Sequence, residues 1–140
     1  MIWDIVTPTA PIAVVPGDID CVNFEKAIAE IASKFERVII TPGYHDYTGN
    51  TINWVPTALP KNVSYLNPGV IEIDGAVFVG ATLWTDFHDD WFAKHAAKRM
   101  ISDFSDIIDI YPDKMVQRHE RDKSFIKLMI ETYRGKPFGV

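Results

Sequence analysis

The stretch that decides the fold is residues 11–46, PIAVVPGDIDCVNFEKAIAEIASKFERVIITPGYHD. Residues 11–15 and 37–41 are short apolar runs, each followed by a Pro-Gly pair, and this pattern is typical of strands covered on both faces. Residues 22–35 lie between them and predict a helix with one apolar stripe, formed by Phe24, Ala27, Ile28, Ile31 and Phe35. Strand, helix and strand in this order predict a right-handed βαβ unit with parallel strands.

The chain after this unit continues to mix strands and helices. Residues 70–73 and 76–82 are apolar runs on either side of Asp74 and Gly75, a dipeptide that favours a tight hairpin turn. The other predicted elements are a short strand at 63–66 and helices at 54–59, 89–100 and 113–133.

These elements predict the α/β fold class, as a layered sheet with flanking helices. We expect a single domain over residues 1–140, because the chain has no repeat, low-complexity tract or linker. The last helix, which ends at Gly135, is expected to bury one apolar face, formed by Ile126, Met129, Ile130 and Tyr133.

Composition excludes several classes of protein. Apolar residues make up 47% and charged residues 24% of the chain, as is usual for a globular domain. The net charge of -5 argues against non-specific binding to nucleic acid or acidic membranes. Cys21 is the single cysteine, so an internal disulfide and a multi-cysteine zinc site are excluded. No apolar run could span a membrane and no signal-peptide pattern is present, so a cytoplasmic protein is expected.

Polar side chains follow both strands of the predicted βαβ unit. Gly17-Asp18 follows the first strand, and Gly43-Tyr44-His45-Asp46 follows the second. The carboxyl ends of parallel strands meet at one edge of a sheet, which is where ligands bind in such folds. Carboxylate and imidazole groups on adjacent loops suit a divalent cation. An ordinary turn is the alternative interpretation of either motif alone.

Taken together, these motifs resemble those of the calcineurin-like metallophosphoesterases. Residues 13–18, AVVPGD, are similar to the family's strand ending in Gly-Asp, and residues 42–46, PGYHD, to its strand ending in Gly-Asn-His-Asp or Glu. Residues 78–87, FVGATLWTDF, are similar to a segment of a bacterial and phage-type branch of the family. The resemblance covers residues 11–133 and implies a partial metallophosphoesterase-like sandwich.

The same resemblance implies roles for three side chains. Asp18 would be the carboxylate that bridges two metal ions, such as Mn²⁺, which together clamp the oxygens of a phosphoryl transfer. His45 would protonate the leaving group. Asp46 would orient the ring of His45.

The sequence departs from the family pattern at the metal ligands. The family has an Asp-x-His block on a first strand, but residues 1–6 are MIWDIV, without a histidine. Tyr44 stands where the family has an asparagine ligand, and the later histidine blocks would follow the point where this sequence stops, at Val140. Asp18 is then the single family ligand carried over, and one carboxylate cannot hold two metal ions.

We therefore expect a degenerate relative, a pseudoenzyme that acts by binding rather than by catalysis and needs no cofactor. The alternative is an active, divalent-metal-dependent phosphoesterase that hydrolyses a phosphomonoester or phosphodiester, with its missing ligands supplied by another chain.

The other histidines do not complete the expected site. His88 and His95 lie two helical turns apart, which is too far for one ion. His119 is expected on a charged, solvated helix face. Three carboxylates near His88 predict an acidic helix N-terminus, although they could also bind a cation weakly: Asp86, Asp89 and Asp90.

The sequence also predicts self-association. Pro8 and Pro11 make the segment before residue 12 a poor central strand, so residues 11–15 would form an open, apolar sheet edge. We expect a homo-oligomer, or a complex with a protein partner, in which this edge or the last helix forms the contact.

Overall fold

The structure is a computed structural model that describes residues 7–19 and 22–140. Strand β1 (Ile12–Val15), helix α1 (Phe24–Ala32) and strand β2 (Arg37–Ile40) form the predicted βαβ unit, and β1 and β2 are parallel. Strand β3 (Val63–Tyr65) pairs in parallel with the other side of β2, so the first sheet has the order β1-β2-β3.

Strand β2 separates two hydrophobic layers. Its side chains alternate between the sheet faces. Val38 and Ile40 are fully buried against the apolar stripe of α1, which includes the buried Ile28. Ile39 lies in a different cluster, on the face away from α1. The continuous apolar run in the sequence is thus explained by a strand covered on both sides.

A second sheet covers the face of β2 that carries Ile39. Strands β4 (Gly69–Ile73) and β5 (Ala76–Gly80) form the predicted antiparallel hairpin, and Asp74 and Gly75 both adopt positive φ angles at its turn. The short strand β6 (Phe138–Gly139), which the sequence did not predict, pairs in parallel with β5.

The two sheets meet in a shared hydrophobic cluster. Ile39 packs there with Leu66 and Ile73, and Phe78 of β5 lies against them. The chain therefore has α1, the first sheet and the second sheet as successive layers, and the α/β fold class is confirmed.

Helices cover the end of the first sheet where β2 stops. They are α2 (Trp91–Met100), α3 (Asp103–Asp106) and α4 (Pro112–Thr132). The Asp90 carboxylate accepts hydrogen bonds from two backbone N–H groups of the first turn of α2, as the acidic sequence before this helix predicts. Within the parts of the chain that the structure describes, no helix is long and apolar enough to cross a membrane.

Residues 54–59 do not form the predicted helix. Pro56 lacks an N–H donor, and Pro60 disfavours helical backbone in the residue before it. The segment is held instead by the Glu25 carboxylate, which accepts hydrogen bonds from the N–H groups of Thr57 and Ala58. The Trp54 ring packs edge-on against Phe24 of α1, with ring centroids 5.2 Å apart.

The predicted buried face of the last helix is also wrong. The buried residues of α4 are Met115 and Asp122, whereas Ile130 is 50% exposed. Met115 packs in the cluster formed with α2 and the residues after β2, so it is the first half of α4 that the fold covers. Ile126 lines an open apolar groove instead of a closed core.

Strand β1 is covered less than the sequence predicts. Val14 is 59% exposed, and within the described residues β1 pairs with β2 alone. The open face of β1 forms one wall of an apolar groove of about 270 Å³, which Phe78 and Ile126 also line. The prediction that both faces of this strand are covered is therefore wrong. The position of β1 at the edge of the sheet, within the described residues, agrees with the predicted open edge at residues 11–15.

Candidate functional site

The loops that follow β1 and β2 touch through two glycines. Gly17 has φ +92°, and a Cβ atom there would lie 2.1 Å from the backbone N of Gly43. A Cβ atom on Gly43 would lie 2.0 Å from Oδ1 of Asp18. Any larger residue at either position would collide with the other loop. Both glycines are therefore needed for the close approach of the loops.

The Asp46 carboxylate joins these two loops by accepting hydrogen bonds from the backbone of both. Oδ2 accepts hydrogen bonds from the backbone N–H groups of Gly43 and Asp18, each at 2.9 Å, and Oδ1 accepts one from Ile19 at 3.0 Å. The side chain is 1% exposed. Loss of hydration on burial raises the pKa of this carboxyl, and the three hydrogen bonds act in the opposite direction.

The three residues singled out in the sequence lie together. The Asp18 carboxylate accepts a hydrogen bond from the backbone N–H of His45 at 3.1 Å. The His45 ring lies against the ring of Tyr44, with centroids 4.1 Å apart. The resemblance implies that Asp46 orients the His45 ring, but the described partners of the Asp46 carboxylate are backbone N–H groups.

A cleft of about 620 Å³ opens beside these loops. Asp18 and Tyr44 line one side, and Trp84 and Thr85, from the segment after β5, line the other. Among the described residues of its lining, Asp18 carries the only carboxylate, and none is a histidine, lysine or arginine. The cleft can therefore offer one negative charge, two aromatic rings and several hydroxyl groups.

A hydrogen-bonded network lies behind the cleft. The Thr82 hydroxyl donates to the backbone carbonyl of Pro42 at 2.9 Å and lies 3.2 Å from the side-chain oxygen of Asn67. The amide of Asn67 donates to the hydroxyl of Tyr47, which is fully buried. Burial raises the pKa of Tyr47, so its hydroxyl stays neutral. The network fixes the end of β5 against the end of β2.

Helix α4 holds the other side of the cleft. The buried Asp122 carboxylate accepts a hydrogen bond from the backbone N–H of Leu83 at 3.1 Å. The ring of His119 places Nδ1 3.2 Å from the carbonyl oxygen of Leu83 and 3.4 Å from that of Trp84. These contacts hold Leu83 at φ +56°, an unfavourable angle for this residue.

Sequence reasoning missed both of these supports. The residues of the network come from three segments that are far apart in the chain, and no spacing rule relates them. His119 was expected on a solvated helix face, but its side chain is only 16% exposed. The one available signal was Asp122, a charged residue within the apolar periodicity of a helix.

Comparison of the chain with protein-family models, with curated proteins and with solved structures gave no match. The resemblance to the calcineurin-like metallophosphoesterases therefore rests on the quoted sequence motifs.

Proposed function

We propose that this domain binds a small neutral or cationic ligand in the cleft beside Asp18 and does not hydrolyse phosphoesters. The observation that carries the proposal is the lining of the cleft, in which Asp18 is the single charged group among the described residues. A bare phosphate would meet this carboxylate, and the described lining residues include no lysine, arginine or histidine that would offset its charge.

The surroundings of Asp46 support binding over catalysis. A pair of metal ions needs several carboxylate, imidazole or amide ligands. Both carboxylate oxygens of Asp46 already accept backbone hydrogen bonds, and this carboxylate is buried. Asp18 is then the one carboxylate of the pair that faces the cleft, and a single carboxylate gives weak metal binding.

The remaining lining suggests the chemistry of the ligand. Tyr44 and Trp84 offer aromatic faces, which attract flat apolar groups and cations. The Thr85 hydroxyl accepts from the N–H of Phe87 and can still donate to a ligand, whereas the Thr41 hydroxyl donates to the carbonyl of Leu66 and can only accept. A flat ligand with a positive group would place its charge on Asp18 and its apolar part against the rings.

Two further parts of the proposal concern architecture and assembly. We infer a metallophosphoesterase-like sandwich in which, among the described residues, β1 has a strand partner on one side alone. Within the described residues β1 pairs with β2 alone, and its other edge would offer backbone groups to a second copy of the chain, paired across a two-fold axis as an antiparallel strand. Such a homo-oligomer would cover Val14, which is exposed in the single chain. We also propose a cytoplasmic location.

The ligand proposal is tested by NMR titration with benzamidinium, benzyl alcohol and phenyl phosphate as probes. We expect benzamidinium to shift resonances of Tyr44 and Trp84, and the effect to disappear in Asp18→Asn. Asp109→Asn is the matched control, because it removes one exposed carboxylate outside the cleft. Tighter binding of phenyl phosphate than of benzamidinium would overturn the proposal.

A second candidate function is an active metal-dependent phosphoesterase completed by another chain. It is favoured by the neighbouring positions of Asp18 and His45 and by the edge of β1 beside them, which no described strand covers. This candidate predicts turnover of an aryl phosphodiester with Mn²⁺. It also predicts that His45→Ala lowers the rate by about 10²–10⁴-fold, as loss of a general acid does. Background rates for both proteins would support the binding function.

A further inference from the structure

A histidine and two carboxylates converge between α4 and the segment that follows β5. Nε2 of His119 lies 3.8 Å from Oδ2 of Asp86 and 4.0 Å from Oε1 of Glu120. All three candidate ligand atoms lie within 4.8 Å of one another. The side chain of His119 is 16% exposed, whereas those of Asp86 and Glu120 are 39% and 54% exposed. The group is therefore open to solvent on the side of its carboxylates.

The backbone fixes which nitrogen of His119 faces the carboxylates. Nδ1 lies near the carbonyl oxygens of Leu83 and Trp84, and a carbonyl oxygen can only accept a hydrogen bond. Nδ1 must therefore carry a proton, and in the neutral ring the lone pair is on Nε2. A backbone carbonyl on the far nitrogen is the usual support of a metal-binding histidine.

We propose that Asp86, His119 and Glu120 bind one Zn²⁺ ion, at a site separate from the cleft beside Asp18. Zn²⁺ takes imidazole nitrogen and carboxylate oxygen at about 2.0–2.2 Å in a tetrahedral arrangement, which places ligand atoms about 3.3 Å apart. The two distances from Nε2 of His119 must shorten by less than about 1 Å, and the carboxylate oxygens, which lie within 4.8 Å of each other, must approach by up to about 1.5 Å through movement of exposed side chains. The fourth position is left for water.

The alternative interpretation is an ion-pair network without a metal. Lys123 donates to Oε1 of Glu120 at 2.9 Å, and a protonated His119 would interact favourably with both carboxylates. Zn²⁺ has to displace the Lys123 ammonium from Glu120 and the proton from Nε2 of His119. Removal of Lys123 therefore separates the two interpretations: Zn²⁺ binds more tightly if the three residues form a metal site, and Zn²⁺ binding is unchanged if they form an ion-pair network alone.

The ion would also tie the loop after β5 to α4. Asp86 belongs to this loop, and His119 already holds its backbone at Leu83 and Trp84. The inference does not rest on the proposed function, because none of the three ligands lines the cleft.

The test is a Zn²⁺ titration followed by calorimetry and by NMR of the histidine ring nitrogens. We expect one bound ion and a shift of Nε2 of His119 that is larger than that of any other histidine nitrogen. Asp86→Asn and Glu120→Gln should each weaken binding by at least tenfold, as loss of a ligand costs no less than the roughly 10–100-fold of a supporting residue. Asparagine at position 86 keeps the side-chain oxygen that accepts from the N–H of His88.

Matched controls separate the site from general charge effects. Asp89→Asn and Glu131→Gln remove exposed carboxylates from the same two regions and should leave Zn²⁺ affinity unchanged. Lys123→Gln should tighten binding severalfold, whereas Lys127→Gln, one turn further along α4, should not. The proposal is overturned if Asp86→Asn and Glu120→Gln bind Zn²⁺ as the parent does, or if Lys123→Gln binds no more tightly.

Discussion

Two junctions hold the cleft, and each is built on a buried aspartate. The strand-end junction joins residues 17–19 to residues 43–46 through Asp46. The helix junction joins residues 83–86 to α4 through Asp122 and His119. Among the described residues, Asp46 and Asp122 are the two buried charged side chains, at 1% and 0% exposure.

The two carboxylates are stabilised by different partners. Asp46 accepts hydrogen bonds from three backbone N–H groups, and its described partners include no cation. Asp122 accepts one backbone N–H and a hydrogen bond at 2.7 Å from Arg121, whose side chain is 36% exposed. The strand-end junction therefore depends on dipoles in fixed loops, whereas the helix junction depends on a partly hydrated ion pair. We therefore expect substitution of Asp46 in the strand-end junction to lower the free energy of unfolding more than substitution of Asp122 in the helix junction.

The largest effect should come from Asp46→Asn. The side-chain amide would turn a donor towards backbone N–H groups, and at least one of them would lose its acceptor. We expect the free energy of unfolding to fall by about 2–6 kcal/mol, because that N–H group and the side-chain amide facing it are both left unsatisfied, at about 1–3 kcal/mol each. Chemical denaturation measures the loss, and Asp109→Asn is the control. A loss below that of Asp122→Asn would reverse the ranking of the junctions.

The next largest effect should come from Gly17→Ala. The new Cβ atom would collide with Gly43, and φ +92° is unfavourable for alanine, so we expect a loss of about 2–3 kcal/mol in the free energy of unfolding. Gly135→Ala is a close control, because Gly135 has φ +91° and nothing lies within 4 Å of its Cβ position. Equal losses in the two variants would show that the loop contact contributes nothing beyond backbone strain.

Asp122→Asn should have a smaller effect. Asparagine can still accept from the N–H of Leu83 but loses the charge that pairs with Arg121, so we expect a loss of about 1–3 kcal/mol. Hydrogen exchange should quicken at Leu83 and not at Gly43. Faster exchange at both positions would mean that the two junctions open together.

The smallest effect concerns pH. Burial raises the pKa of Asp46 above 3.8, whereas the hydrogen bond from the N–H of His88 lowers the pKa of Asp86 below 3.8. The pH-dependent part of the stability contributed by Asp46 is thus fully present below pH 3.8 and is lost as pH rises through its folded pKa. The pH-dependent part contributed by Asp86 is present above pH 3.8 and is lost as pH falls through its folded pKa. Carboxyl NMR titration should give a midpoint above 3.8 for Asp46 and below it for Asp86, and the reverse order would contradict the assignment.

The sequence by itself determined most of the local elements and the position of the candidate site, although residues 54–59 are not the predicted helix and β6 was not predicted. Apolar runs ended by Pro-Gly pairs gave β1 and β2, the spacing of apolar residues gave α1, and Asp74-Gly75 gave the hairpin. These patterns depend on neighbours in the chain. The meeting of Asp18 with His45 followed from the rule that parallel strands end at one edge.

Only the tertiary structure decided what the polar side chains contact. Asp46 and His119 bind backbone groups that lie 27–28 and 35–36 positions away in the chain. The tertiary structure also decided which apolar residues stay exposed. Val14 at the sheet edge and Ile130 on α4 are two of them. Periodicity shows that one face of an element is apolar. Burial and hydrogen-bond partners depend on which distant segments pack there, and no local pattern contains that information.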